Sequence, residues 1–237
     1  MDEVVTLGRA ASTWGEVVLR RRGQGPDAVE ELVVNGTFAM DSTETHSERE
    51  LGRLAAGARR VLVGGLGLGH TVVAVLAEAD RRGAPVVVDV VELEAALVTW
   101  AHEGRTATLA RVAQDPRVRL HADDVARVLA GTSGPAGPWD AILLDVDNGP
   151  DFLIHAQNDA LYNEPALRDA YARLAPGGLL AVWCQAPSPP LLAALRRIRP
   201  SAREDLHEVQ REGRTFTYAI DVVRRPPAWD VADGAAG

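Results

Sequence analysis

From Arg60 onward the chain alternates short, wholly apolar runs with stretches of helical period, and this alternation restricts the fold more than any other feature. The runs are VLVGG (61–65), VVVDVVE (86–92), VRLHA (118–122), AILLD (141–145) and LLAVW (179–183). Between and after them the period predicts helices over 69–82, 94–104, 124–130, 163–174 and 188–198. A strand that is apolar on both sides of its pleat must be covered on both faces, which calls for parallel strands joined by crossover helices. The expectation is an α/β protein with a doubly wound, mostly parallel sheet. A chain of 237 residues, 46% hydrophobic, can fill one such core and carry a small appendage.

The flanks read differently. Residues 15–22 (GEVVLRRR) and 30–38 (EELVVNGTF) are β-former runs around Gly-Gln-Gly-Pro-Asp, a β-hairpin signature, and Asn35-Gly36 marks a second tight turn. Helical period first appears over 46–58, where Leu51, Leu54 and Ala55 share a face. Near the other end, REDLHEVQ and TFTYAIDVV within 203–223 predict an antiparallel hairpin at the sheet edge. The division expected is an N-terminal β-hairpin region (1–45), a Rossmann-like domain (46–225) and a disordered tail (226–237) rich in Pro, Ala, Gly and Asp. The hairpin of residues 15–38 is expected to form a small β lid or a homodimer contact.

Charge and cysteine usage narrow the partners. With 25 Lys+Arg against 33 Asp+Glu, and no basic cluster beyond Arg20-Arg21-Arg22, nucleic acid is not an expected partner. Cys184 is the sole cysteine, which excludes intrachain disulfides and Cys-rich zinc clusters and suits a reducing compartment. No segment reaches the roughly 18 consecutive apolar residues of a membrane span, so no membrane partner and a cytoplasmic location are expected.

The strongest chemical signal follows the first strand of the alternating region. In Gly-Gly-Leu-Gly-Leu-Gly-His, glycines 65, 67 and 69 occupy a strand-to-helix turn, where missing Cβ atoms let a ligand approach the backbone and the next helix offers free N–H groups. The second strand ends in Val-Val-Glu-Leu-Glu, which places Glu92 where a carboxylate accepts from both ribose hydroxyls, while Glu94 suits the start of a helix. Asp123 and Asp124 close the third strand. Each either accepts from an adenine amino group or caps the helix at 124–130.

Taken in order, these motifs resemble the spermidine synthase family, from the N-terminal hairpin to about residue 184. VLVGGLGLGH resembles its glycine loop, VVELE its ribose-binding strand end, DPRVRLHADDVARVL its adenine-side segment, and AILLDVDNGP the strand and loop with the catalytic aspartate. The resemblance implies the class I methyltransferase fold and S-adenosylmethionine or its decarboxylated form as cofactor, without a metal. It puts Asp145 at the catalytic position, and Gly65, Gly67, Gly69, Glu92 and Asp124 at cofactor positions. Departures stand beside the matches. Leu68 replaces an aspartate that faces the decarboxylated cofactor's amine, Asn148 replaces an aspartate that holds the diamine, and Glu48-Arg49 replace a Tyr-His pair on the polyamine side.

The function expected is transfer of a methyl or aminocarboxypropyl group from S-adenosylmethionine to a small polar acceptor. Asp145 would act as base and Asn148 would orient the acceptor. Among His155, Gln157, Asn158 and Tyr162, which follow the catalytic loop, Tyr162 is the first choice to wall the acceptor pocket. Asp147 reads as structural, Trp183 and Cys184 as packing, and Arg49 as either a substrate contact or a solvated helix residue. Aminopropyl transfer in polyamine synthesis and a non-catalytic nucleotide-binding scaffold are the alternatives.

Overall fold

The computed structural model describes residues 3–211 and 214–231. An antiparallel sheet opens it, with strands β1 (Val4–Ser12), β2 (Gly15–Arg22), β3 (Val29–Val34) and β4 (Thr37–Asp41) in sequential order. The expected hairpin is β2–β3, and Asn35 (φ 52°) with Gly36 (φ 75°) forms the tight turn into β4. The arginine triplet is used inside this sheet: Arg20 and Arg22 donate to Glu31 at 2.7 and 2.9 Å, and Arg21 to Glu30 at 3.4 Å. Strand β1 was not foreseen. It is mostly exposed and its register slips between Thr6 and Gly8, so it carries no period-two pattern.

After α1 (His46–Arg53), the alternation expected from Arg60 onward is realised as β5 (Arg60–Gly64), α2 (His70–Arg82), β6 (Val87–Glu92), α3 (Ala95–His102), α4 (Ala107–Gln114), β7 (Val118–Ala122), α5 (Val125–Ala130), β8 (Trp139–Leu144), α6 (Glu164–Ala172), β9 (Leu174–Cys184), α7 (Pro189–Ile198), β10 (Arg203–Arg211) and β11 (Arg214–Arg224). The sheet order is β10-β11-β9-β8-β5-β6-β7. Pairs among β5 to β9 are parallel, whereas β11 runs antiparallel to β9 and β10, giving the expected edge hairpin.

Burial explains the double winding. Leu62, Ile142, Leu144 and Val182 pack on one side with Leu129, Leu167 and Leu195 from α5, α6 and α7. Val61, Val63, Val90 and Leu143 pack on the other with Leu76, Leu97 and Leu109 from α2, α3 and α4. Each such fully buried side chain contributes about 1.5–3 kcal/mol. Val17, Leu19, Leu32 and Val34 of the N-terminal sheet join this second layer, so the small sheet shares the main core. Helix α4 was also not foreseen: only Leu109 and Val112 are buried on it, and its start is set by Thr106, whose hydroxyl accepts from the Leu109 N–H at 3.2 Å. Residues 228–231 form one 3-10 turn, while 232–237 of the expected tail lie outside the described residues. Among the described residues, no helix is long and apolar enough to cross a membrane.

Candidate functional site

Strand β5 lies between β6 and β8, and the chain winds away from it in opposite directions. A doubly wound sheet opens a crevice at the carboxyl ends of its strands where the order reverses. Gly65, Glu92 and Asp145, each at or just past a strand end, line one cavity there.

The glycine turn is held by the sheet itself. The Gly65 N–H donates to Val91 and the Asp145 N–H to Gly64, both at 2.8 Å, which continues the ladder past the strand ends. At φ 90°, Gly65 presses against Asp145 so closely that a Cβ would stand 2.2 Å from the Asp145 carbonyl oxygen. Gly69 is the N-cap of α2. Glu92 is buried and accepts from the Leu66 N–H at 2.7 Å and the Glu94 N–H at 2.8 Å, one on each oxygen. Burial raises its pKa against the opposing effect of these amides. A carboxylate oxygen has a second lone pair, so Glu92 can still accept from a ligand in the cavity it lines. Glu94 caps α3 by position, and its Oε1 accepts from Ser12 at 3.2 Å.

The two aspartates after β7 separate. Asp124 is the N-cap of α5, accepting from the Ala126 N–H at 2.8 Å, and it also lines the cavity. Asp123 accepts from the Asp124 N–H, with its other oxygen beside Gly134, and is not among the lining residues. The capping role therefore falls to Asp124, and Asp123 faces a loop.

On the acceptor side, Asp145 Oδ2 accepts from the Thr71 hydroxyl at 2.6 Å, and burial pushes its pKa up to about 6 against that hydrogen bond. Asp147, at φ 53°, accepts from Asn158 at 2.8 Å and from the His155 N–H at 3.3 Å, so it organises the loop. Asn148, His155 and Asn158 line the cavity. Tyr162 does not: its hydroxyl donates to the Val146 carbonyl at 2.6 Å, committing it to the floor of the loop, and the side chain of Gln157 lies outside the described residues. Trp183 does line the cavity, and its buried Nε1 has no partner among the described residues. Cys184 is buried, which raises its thiol pKa and leaves it unreactive.

Two contributions lie beyond the site residues expected from the sequence. Leu32 and Val34 of β3, with Ala39 and Met40 of β4, form an apolar wall of the cavity. Met40 Sδ lies so close to Gly67 that a Cβ there would be 2.6 Å away. The second is Glu48 of α1, buried at 7% exposure and lining the cavity, whereas Arg49 points into a separate groove with His70 and Arg111. Arg49 therefore adds no positive charge to the cavity. His70 is the first residue after the Gly69 cap, and burial and Arg49 lower its pKa. Leu68 is fully buried.

No protein-family model and no curated protein matches this sequence. Among solved structures, the fold is similar to human methyltransferase-like protein 13 in complex with SAH, at TM-score 0.53 and 20% identity over 78% of this chain and 83% of that one. It is also similar to a class I S-adenosylmethionine-dependent methyltransferase of Listeria monocytogenes, at TM-score 0.51 and 14% identity over 76% of this chain and 58% of that one. An RNA methyltransferase of Pyrococcus horikoshii matches at TM-score 0.50 and 14% identity, covering 78% and 84%. The fold is that of the class I methyltransferases.

Proposed function

We propose that this chain is an S-adenosylmethionine-dependent transferase that alkylates a small polar nucleophile, with Asp145 as the base. The observation that carries this reading is the placement of a buried, hard-to-ionise carboxyl beside the glycine turn at the switch-point crevice. A pure binding scaffold has no use for an acid there.

The residues present fit the cofactor. The turn at Gly65 and Gly67 has no Cβ atoms to fill the approach, Glu92 keeps lone pairs for ribose hydroxyls, and Leu93, Val125 and Asp124 line the side where a base would lie. When bound, a sulfonium supplies an activated carbon and a leaving group that departs as a neutral thioether. The chain's own part is alignment, exclusion of water by the Met40 wall, and removal of a proton from the nucleophile by Asp145.

Aminopropyl transfer from the decarboxylated cofactor is the second reading, and one observation favours it: every Asp, Glu, Lys or Arg described as lining the cavity is acidic. Against it stands Leu68, where the family that the sequence resembles has an aspartate. Calorimetric titration with S-adenosylmethionine, its decarboxylated form and methylthioadenosine separates the two. We expect the intact cofactor to bind more tightly; a reversed order would favour aminopropyl transfer, and no binding of any of the three would end both readings. In the same assay, Glu92→Ala is expected to weaken methylthioadenosine by roughly 1–3 kcal/mol, because the ribose hydroxyls lose their acceptor.

A further inference from the structure

Outside that cavity, helices α1, α2 and α4 frame an open groove of about 550 Å³. Its floor is one stripe of α2, where Val73, Ala74 and Ala77 recur at helical spacing and are too short to fill the space beside the neighbouring helices. Arg49 and Arg53 enter it from α1, one turn apart, and Arg111 enters it from α4. Gly52 holds α1 close against α2: a Cβ there would stand 2.5 Å from the Ala74 Cβ and 2.7 Å from the Thr71 carbonyl oxygen. The two α1 arginines are thus mounted on a helix that is fixed against the floor.

The charges around this groove are out of balance. Glu78 is the one acid described as lining it, and Arg81 and Arg82 already take both of its oxygens. Arg53 is paired with Glu50. Arg49 and Arg111 have no ion pair among the described residues, and Asp115, the acid that feels the Arg111 charge, is held by Arg117 at 2.9 and 2.8 Å. His70 heads the α2 stripe with its Nε2 buried and without a partner among the described residues. Burial and then the Arg49 guanidinium lower the His70 pKa, against the effect of Asp41, so the ring registers a positive field in the groove. Two unspent guanidiniums in one groove run against the net charge of −8 of the whole chain.

We propose that this groove is a second binding site, separate from the transferase cavity, and that it takes a small molecule bearing a phosphate monoester. The inference does not rest on the transferase reading. Two free guanidiniums match the charge of a phosphate monoester near neutral pH, and each presents a planar fork of N–H donors to its oxygens. Half-buried Val73 and Ala74 give the organic body an apolar floor. The volume lies within the roughly 300–1,000 Å³ usual for small-ligand sites. A nucleic-acid backbone would need a longer basic track, and the Arg20-Arg21-Arg22 triplet is spent inside the N-terminal sheet. Successive residues divide the two sites: Glu48 lines the cavity and Thr71 reaches Asp145, whereas Arg49 and His70 line the groove. No residue of α4 is among those described as lining the cavity, so Arg111 probes the groove alone.

The test is calorimetric titration of the full chain with phenyl phosphate, inorganic phosphate and phenol. Phenyl phosphate should bind, more tightly than inorganic phosphate, and phenol should not bind. Arg111→Gln and Arg49→Gln should each lose about fivefold affinity, whereas Arg168→Gln, on α6 across the sheet, should match wild type. In wild type, NMR should show phenyl phosphate moving the His70 ring titration to higher pH, because a nearby dianion favours the imidazolium. Affinity that ignores both groove arginines, or a His70 titration that ignores phenyl phosphate, would overturn the site. Equal binding of inorganic phosphate would overturn the choice of an ester. A short oligonucleotide that binds more tightly than phenyl phosphate, and is weakened by Arg111→Gln, would give the groove to nucleic acid and overturn the small-ligand reading.

Discussion

A methyl group at position 65 would overlap the carbonyl oxygen of the residue that the site depends on, so Gly65→Ala should be severe. Positive φ and backbone overlap together imply about 2–5 kcal/mol of destabilisation, read from urea denaturation, with loss of S-adenosylhomocysteine binding. A variant of near wild-type stability that still binds would show the turn to be adaptable. Such residues were legible because their chemistry is local: a glycine run after an apolar strand, Glu92 at the next strand end and Asp145 at the fourth. Glu48 was marked only by the resemblance, as a departure on the polyamine side, because taken alone a glutamate between Ser47 and Arg49 reads as a solvated residue of a polar helix. Its local signal is spacing, three residues before Leu51 on the face that α1 buries. The same helix turn sends Arg49 into the other groove, away from the cavity that Glu48 lines.

At the level of elements, strands β5, β6 and β8 with helices α2 and α3 were readable from periodicity, since burial on both faces leaves unbroken apolar runs. Strand β1 and helix α4 were not, since each buries too little to impose a pattern. The wall from β4 was hidden for another reason: which loop Met40 covers depends on how the small sheet docks, a tertiary fact with no local signature. Asp124 shows how one residue serves an element and a site together. Asp124→Ala should cost about 1 kcal/mol by uncapping α5, whereas Asp124→Asn should keep the cap and its stability. If both variants lose the same affinity for methylthioadenosine, the carboxylate serves the nucleoside; if Asn restores affinity along with stability, Asp124 serves the helix alone.

For the molecule as a whole, stability should fall as pH rises across the neutral range, opposite to the usual effect of paired surface acids. Asp221, fully buried in β11 with no partner for either oxygen among the described residues, is pushed up to about 7 by burial first and by Glu204 second. Glu48 lies near 7 and Asp145 near 6 for similar reasons. In the unfolded chain these acids ionise near pH 4, so between about 4 and 7 the folded state holds protons that the unfolded state has released. Raising pH through that window therefore favours unfolding. Glu31, Glu78, Asp115 and Glu164 have lowered pKa values and act with the opposite sign, but only below the ordinary carboxylate range. His70 also opposes, because its lowered pKa makes the fold gain stability as pH rises toward the imidazole range. Burial also raises Glu92 and Asp147, so five raised acids outweigh one histidine, and Asp221 should dominate because it has neither ligand nor hydrogen bond to offset its charge. Urea denaturation at pH 5.5 and 8.0 should find wild type more stable at the lower pH. Asp221→Asn should flatten that difference and stabilise the protein by about 2–4 kcal/mol at pH 8.0, where the wild-type carboxyl is charged in the core. Equal stability of wild type at both pH values, or a variant with the same slope as wild type, would show that the Asp221 carboxylate is accommodated by rearrangement of β10 and β11.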